Sequence, residues 1–373
     1  KRQPDNRDNR GKKHQLAFVV VSVIIAILIG RTKASSIHRY LKNKFEWLCE
    51  ITNFEAESVI SRAQLPRLLL MVNWQIINQL TIRYFSVEVI QLPCGDWSAL
   101  DGKELRGCLQ TLPTGEKEKR ALSVVNAIRH SNRQLVGTSF YQGDKESEIS
   151  CVRTLLIQSG LASKSITLDA LHCNPTTLAL IVTAGGRYLI QVKANQAELM
   201  EDFTFLHERT KPILKLEARV EKHHGRIEER TTYFYNVEKE YFAKRWKSCR
   251  IHTLVVTERH FEYFKTGKIM KSTAFHISNQ KLPPKSKLIC TELAGAVRNH
   301  WQVEHDNQVR DVTFKEDLLK TTDRNLAKIL ACLWSASIGI IKMANPKNYK
   351  EEIEFFQDKP EQMVEFLRDI HFL

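Results

Sequence analysis

WSALDGKELRG, residues 97–107, is the stretch whose reading decides the fold. Its opening residues are apolar and suit a strand, and Gly102 and Gly107 punctuate its second half. It reads as a short strand that ends at Asp101 and runs into a turn. A carboxylate at the end of a strand is as often a turn former or a helix cap as a functional group. The meaning of Asp101 therefore depends on what the flanking segments put beside it.

Toward the C-terminus, ALSVVNAIRH (121–130) and RQLVGTSFY (133–141) are strand-like runs joined by Ser131-Asn132, a hairpin connection of the usual length. Helical periodicity then puts Ile149, Val152, Leu155 and Leu156 on one face, with a stop at Gly160. SITLDA (165–170) is a short buried strand ending in Asp169, a helix follows from about Pro175, and YLIQVK (188–193) is a further strand before a helix from Gln196. Three strands, helix, strand, helix, strand, helix is the ribonuclease H-like arrangement, a mixed α/β sheet built from one antiparallel meander and two crossover units. Its first and fourth strands are neighbours, so Asp101 and Asp169 are expected to converge on one sheet edge.

Three runs between 208 and 290, HHGRIEERTTYFYNV (223–237), CRIHTLVVTERHF (249–261) and MKSTAFHISN (270–279), alternate polar and apolar residues and read as a β-rich insertion. After it comes RNHWQVEHDNQVRDVTFKED (298–317), free of Pro and Gly and expected to be helical. This run carries Glu304 and, further on, Asp311, Glu316 and Asp317. A solvated surface face is the ordinary fate of such a glutamate. A helix that brought Glu304 back beside Asp101 and Asp169 would instead complete three carboxylates around a cleft. Carboxylates suit hard divalent cations, and two Mg²⁺ ions about 3.5–4 Å apart can activate a water or a 3′-hydroxyl and stabilise the leaving oxygen at phosphorus. In that arrangement Asp101 is expected to bridge both ions, with Asp169 and Glu304 each favouring one and Mn²⁺ able to substitute.

The N-terminal third reads as helical. Residues 1–15 carry six basic side chains against two acidic ones, and LAFVVVSVIIAILIG (16–30) follows. As a helix this run of 15 residues would span roughly 22 Å, short of a hydrocarbon core of about 30 Å, so a buried core helix is expected rather than a membrane anchor. Residues 34–92 continue in helical style with interleaved Arg62, Arg67 and Arg83. The resulting plan is a helical N-terminal domain, expected to contact DNA, over 1–92, a ribonuclease H-like core over 93–207 and the β-rich insertion over 208–290. The core is completed over 291–345, and a tail follows over 346–373. The chain opens on Lys1 rather than Met, which leaves room for natural residues ahead of it.

Lys and Arg outnumber Asp and Glu by 56 to 42 in the 373 residues, a formal charge of +14. That balance favours a polyanionic partner. The eight cysteines include no CxxC pair, so neither a zinc knuckle nor a disulfide framework is indicated, and a reducing cytosol is the simplest compartment.

Several of these segments, in this order, resemble the ISAs-type insertion-sequence transposases, also known as H-repeat-associated proteins, within the wider DDE transposases. DNRDNRGKKHQL (5–16) resembles the basic opening of that family, LDGKELRG (100–107) its first-aspartate motif and TLDALHCN (167–174) its second. VKANQ (192–196), HGRIEER (224–230), and RNHWQVEH with RDVTFKED are similar to its Lys-x-Asn-Gln element, the entry to its inserted β segment and its glutamate-bearing signature. The resemblance implies Asp101, Asp169 and Glu304 as a metal-binding catalytic triad. It implies DNA cleavage and strand transfer at terminal inverted repeats and target DNA, by a homodimer in a synaptic complex that is cytoplasmic and nucleoid-associated. Lys103, Arg106, Lys193 and Arg298 match basic positions in these motifs, where phosphate contact is expected and a structural ion pair is the alternative. Lys193 is the first choice.

Between Glu304 and Arg310 the chain departs from the pattern, with His305 and Gln308-Val309 and about one residue fewer. One residue turns everything downstream on a helix by about 100°. Either the helix ends before Asp311 and a loop absorbs the change, or this is a catalytically inactive DNA-binding remnant. The remnant is the alternative from a different class, and a membrane-anchored protein spanning at 16–30 is a third possibility.

Overall fold

The computed structural model describes residues 14–85, 95–108, 122–142, 144–217, 220–223, 225–237, 243–283, 286–318 and 320–373. β1 (Trp97–Glu104), β2 (Leu122–Arg129) and β3 (Leu135–Gln142) form an antiparallel meander. The apolar, β-branched run of β2 suits a strand covered on both faces, and β2 is buried at every position before Arg129. β1 does not end at Asp101. Its pairing with β2 continues through Asp101↔Asn126, Gly102↔Val125, Lys103↔Val124 and Glu104↔Ser123, so Asp101 sits in mid-strand. Gly102 is a glycine inside a strand rather than a turn residue, because another side chain approaches the space where its Cβ would be.

Two crossovers follow. α6 (Lys145–Gln158) leads to β4 (Ser165–Leu168), and α7 (Pro175–Thr183) leads to β5 (Arg187–Val192). β4 runs parallel to β1 and β5 runs parallel to β4. α8 (Ala197–Arg209) then leads into β6 (Leu214–Glu217), β7 (Glu221–His223), β8 (Arg226–Asn236), β9 (Thr253–Tyr263) and β10 (Ile269–Ser278). These later strands do not form a separate module. β10 pairs antiparallel with β5, which gives one ten-stranded mixed sheet ordered β3-β2-β1-β4-β5-β10-β9-β8-β6, with β7 on β8.

Period-two alternation assigns the two faces. Leu100, Ile166, Leu168, Ile190, Val256 and Ile277 pack with α6, α7 and α8. Trp97, Leu189, Phe234 and Val255 point the other way and pack with α9 (Lys287–Asn299). α10 (Trp301–Gln308) continues along that second face, where its Val303 packs on Ala99 and Ile128.

The helices α1 (Leu16–Leu28), α2 (Ala34–Asn43), α3 (Phe45–Thr52), α4 (Gln64–Leu69) and α5 (Trp74–Phe85) share one apolar core with α11 (Arg324–Met343), α12 (Tyr349–Asp358) and α13 (Pro360–Asp369). α1 is buried continuously from Ser22 to Leu28, at about 1.5–3 kcal/mol for each large aliphatic side chain removed from water. α11 is long and apolar enough to cross a membrane, but 78% of its apolar window is buried inside the protein. Residues 346–373 are not a tail. Their Ile353, Phe356, Met363, Val364 and Leu367 repeat at helical spacing and are buried in the same core.

Candidate active site

Asp101 points to the α9 and α10 side of the sheet, in alternation with Trp97 and Ala99. The register that pairs Ala99 with Thr167, carried two residues further, brings Asp169 opposite Asp101. Asp169 lies just beyond β4, where its carboxylate accepts a hydrogen bond from the Leu171 amide at 3.1 Å and so caps a short helical turn. From above, Asn307 on α10 donates through Nδ2 to Asp101 Oδ2 at 2.9 Å. Glu304 lies three residues before Asn307, on the same face of that helix. The three carboxylates that the sequence nominated thus lie within electrostatic reach of one another on this side of the sheet.

Their mutual influence is visible in the acidities. Burial pushes the Asp101 carboxyl up to about 7, with Asp169, Glu148 and Glu304 adding to it in that order. Glu304 is also raised, by burial first, with Asp169 adding to the rise and Lys193 and Arg259 opposing it.

Glu148, near the start of α6, is a fourth carboxylate that the sequence reading missed. A Cβ built on Gly102 would lie 2.5 Å from Glu148 Cδ, so the glycine is what lets this carboxyl lie against β1. Tyr141 donates to Glu148 Oε2 at 2.7 Å. The fully buried His172 places Nε2 3.5 Å from Glu148 Oε1 and 3.7 Å from Asp169 Oδ1. These contacts are too long for good hydrogen bonds, and neither ring nitrogen has a hydrogen-bond partner. Burial pushes Glu148 up, but His172 and Tyr141 outweigh it and hold the carboxyl below its usual range. Its sequence signal was weak, because acidic residues in the first turn of a helix are common.

Imidazoles form the floor. Thr167 Oγ1 lies 3.1 Å from His130 Nε2 and 3.0 Å from His300 Nδ1. A hydroxyl has one proton, so at least one imidazole donates to it. Burial pushes His130 and His276 down to about 3 and His300 to about 4, with Lys193 adding to the fall at His276 and His300. All three are neutral at pH 7, and positive charge near the carboxylates comes from Lys193 and Arg259.

An oxygen-only donor set suits a hard divalent cation. A buried aspartate crowded by three other carboxylates is also the electrostatic situation that a cation relieves. Among the described residues, no group of three or more His, Cys, Asp and Glu side chains closes tightly enough to hold an ion. The other three carboxylates lie within electrostatic range of Asp101 without converging on a single point.

The four basic candidates separate. Lys193 is exposed at the end of β5 and acts on Glu304. Arg106 has a 73% exposed side chain and lines a pocket of about 690 Å³ between α1, α2, α4 and α11, away from the carboxylates. Arg298 forms a paired contact with Glu221 at 2.5 and 2.8 Å. Lys103 is corrected from a phosphate contact to an internal ion pair. Its buried ammonium lies 2.7 Å from Asp311, 3.3 Å from Glu316 and 3.5 Å from Asp317.

That block also explains the carboxylates after Glu304. Buried Arg310 pairs with Asp306 and Glu316, and buried Lys342 pairs with Asp306. The helix does not end before Asp311, as the departure from the family pattern suggested. It widens into a π-helical turn over Val309–Thr313, with Phe314 N bonded to Val309 O at 3.1 Å. One wide turn changes the phase of the residues beyond it, so Glu304 can face the carboxylates while Arg310 and Asp311 face the ion-pair block.

With this geometry in view, similarity to known proteins defines the class. The family model described as "Transposase DDE domain" matches residues 93–338, and the "DDE_Tnp_1-associated" model matches residues 1–85. The chain belongs to the transposase DDE-domain family. It is similar to "Putative transposase YncI" of Escherichia coli O157:H7, 25% identical over 91% of this chain and 85% of that one. It is equally similar to "H repeat-associated putative transposase YhhI" of Escherichia coli K12, 25% identical over 93% of this chain and 89% of that one.

Proposed function

We propose that this chain is an insertion-sequence transposase that cuts phosphodiester bonds at the element's terminal inverted repeats and joins the cut ends to target DNA. The observation that supports this reading is that Asp101, Asp169 and Glu304 lie within electrostatic reach of one another on one side of the sheet, with Asp101 pushed up to about 7 by burial and its neighbours. The strand order β3-β2-β1-β4-β5 supports a ribonuclease H-like core for that face. In this reading Asp101, Asp169 and Glu304 would hold Mg²⁺ or Mn²⁺. The metal supplies an activated attacking oxygen and stabilises the departing one. Asn307 orients the Asp101 carboxylate, and Lys193 offers charge to a phosphate beside Glu304.

The test is DNA nicking by the purified full chain. With Mg²⁺ or Mn²⁺ it should nick duplex DNA carrying the element's ends, and Asp169→Ala should abolish nicking while leaving binding intact. Terminal binding with no cleavage under either metal would make the chain an inactive DNA-binding remnant. Metal-independent cleavage would overturn the metal role.

A further inference from the structure

The segment RIEER (226–230) contributes nothing to the carboxylate site, yet strand parity brings it to the same face. In the β8–β9 pair Phe234 is opposite Val255, Thr232 opposite Thr257 and Arg230 opposite Arg259. Phe234 and Val255 pack under α9, and paired residues in a sheet share a side. Arg230 and Arg259 therefore stand on the α9 side, with Glu228 and Arg226 further along β8. Lys193 joins them from β5, since it alternates with Gln191 and with Leu189, which also packs under α9. Across this one face the sheet passes from apolar residues beneath α9 to a row of cations.

Among the described residues the arginines of that row outnumber the carboxylates left to them, because Glu221 on β7, opposite Glu228, is taken by Arg298. Glu228 is 2.6 Å from the Arg230 guanidinium and 3.6 Å from that of Arg226. This is one carboxylate serving two arginines, with Arg259 opposite Arg230. The Nε atoms of Arg226, Arg230 and Arg259 are buried and have no hydrogen-bond partner. Arg226 also stacks on Phe261 at 4.8 Å, which fixes its plane. Glu304 acts on Arg259 and Arg259 on Glu304, so the row begins beside the proposed catalytic glutamate. Preorganised guanidinium groups in excess of their carboxylates suit phosphate oxygens, which they bind without reading sequence.

We infer that Arg259, Arg230 and Arg226 form a phosphate track for the DNA strand leading away from the carboxylates, an assignment that rests on the function proposed above. From β4 to β8 the sheet order crosses β5, β10 and β9. At about 4.8 Å per strand this is roughly 19 Å across the strands. Arg230 lies four residues along β8 from Phe234, the residue level with Asp169, which makes the separation roughly 23 Å, or about seven nucleotides at about 3.4 Å each along one strand.

The experiment measures binding of the full chain to a terminal-repeat duplex and to a scrambled duplex over a range of salt concentrations. Arg230→Ala and Arg259→Ala should each weaken both duplexes alike and reduce the salt slope by about one unit, while Arg→Lys at either position should retain the slope. Unchanged slopes in the Arg230→Ala/Arg259→Ala double variant would overturn the track. So would Lys variants that lose as much as the Ala variants, since that marks a structural role. A wild-type chain that binds both duplexes but cuts neither with Mg²⁺ or Mn²⁺ overturns the proposed activity alone, because the slopes are read without cleavage.

Discussion

Gly102 leaves open on β1 the space that the Glu148 carboxyl approaches from α6, where an added methyl group would lie 2.5 Å from Glu148 Cδ. Tyr141 holds that carboxyl by a hydrogen bond from another side, so it cannot swing away without losing that bond. Gly102→Ala should therefore cost about 1–3 kcal/mol of stability through overpacking. Glu148→Ala in the same chain should remove most of that cost. Thermal melts of the wild type, the two single variants and the double variant form a cycle. Additive losses would mean that the two residues do not press on each other.

The Asp101 carboxyl gives the metal-free protein a pH dependence of defined sign. Its folded value of about 7 lies above an unfolded value near 3.9, so between the two the folded state binds more protons. The stabilisation is fully present below pH ~4 and is lost as the pH rises through about 7. The loss is on the order of 2–4 kcal/mol. Asp101→Asn should flatten this part of the profile and should make the metal-free chain more stable than wild type at pH 8. Denaturant midpoints at pH 5, 6.5 and 8 for both proteins test this, and parallel profiles would contradict it.

Lys103 and Arg106 are three residues apart, and the structure gives them opposite fates. The Lys103 side chain is 5% exposed and serves three carboxylates. Lys103→Met leaves the buried Glu316 and the part-exposed Asp311 and Asp317 without their cation and should cost about 3 kcal/mol. Arg106→Ala removes a side chain that is 73% exposed and should stay within about 0.5 kcal/mol. Urea midpoints compare them, and a wild-type midpoint for Lys103→Met would return that residue to the surface contacts.

The strand and helix order was legible in the sequence because it depends on local periodicity. The stretches around 121–141, 165–170 and 188–193 alternate or run apolar as their burial requires. Partner choice was less legible. Nothing local in MKSTAFHISN says that Phe275 and Ile277 will lie beside Val192 and Ile190, so the insertion was recognised as strands but not as a continuation of the sheet. The extent of β1 was misread because Gly102 usually signals a turn, whereas here it marks a close approach by a residue of a later helix. Lys103 could not be separated from its basic neighbours, since its fate depends on Asp311, Glu316 and Asp317 more than two hundred positions away. The π-turn hid for another reason. It changes the pitch of a helix without changing its composition.

Because β10 is hydrogen-bonded to β5 along four registered pairs, from Ser278↔Leu189 to Phe275↔Val192, the sheet acts as a ruler graduated in strand widths. The interval between Asp169 at the end of β4 and Arg230 on β8 is set by the strand count and the pairing register, not by the length or sequence of any loop. Loops can lengthen, shorten or change composition without altering that interval. Gaining or losing a whole strand would reset it in steps of about 4.8 Å, and a slip of register would move it along the strands.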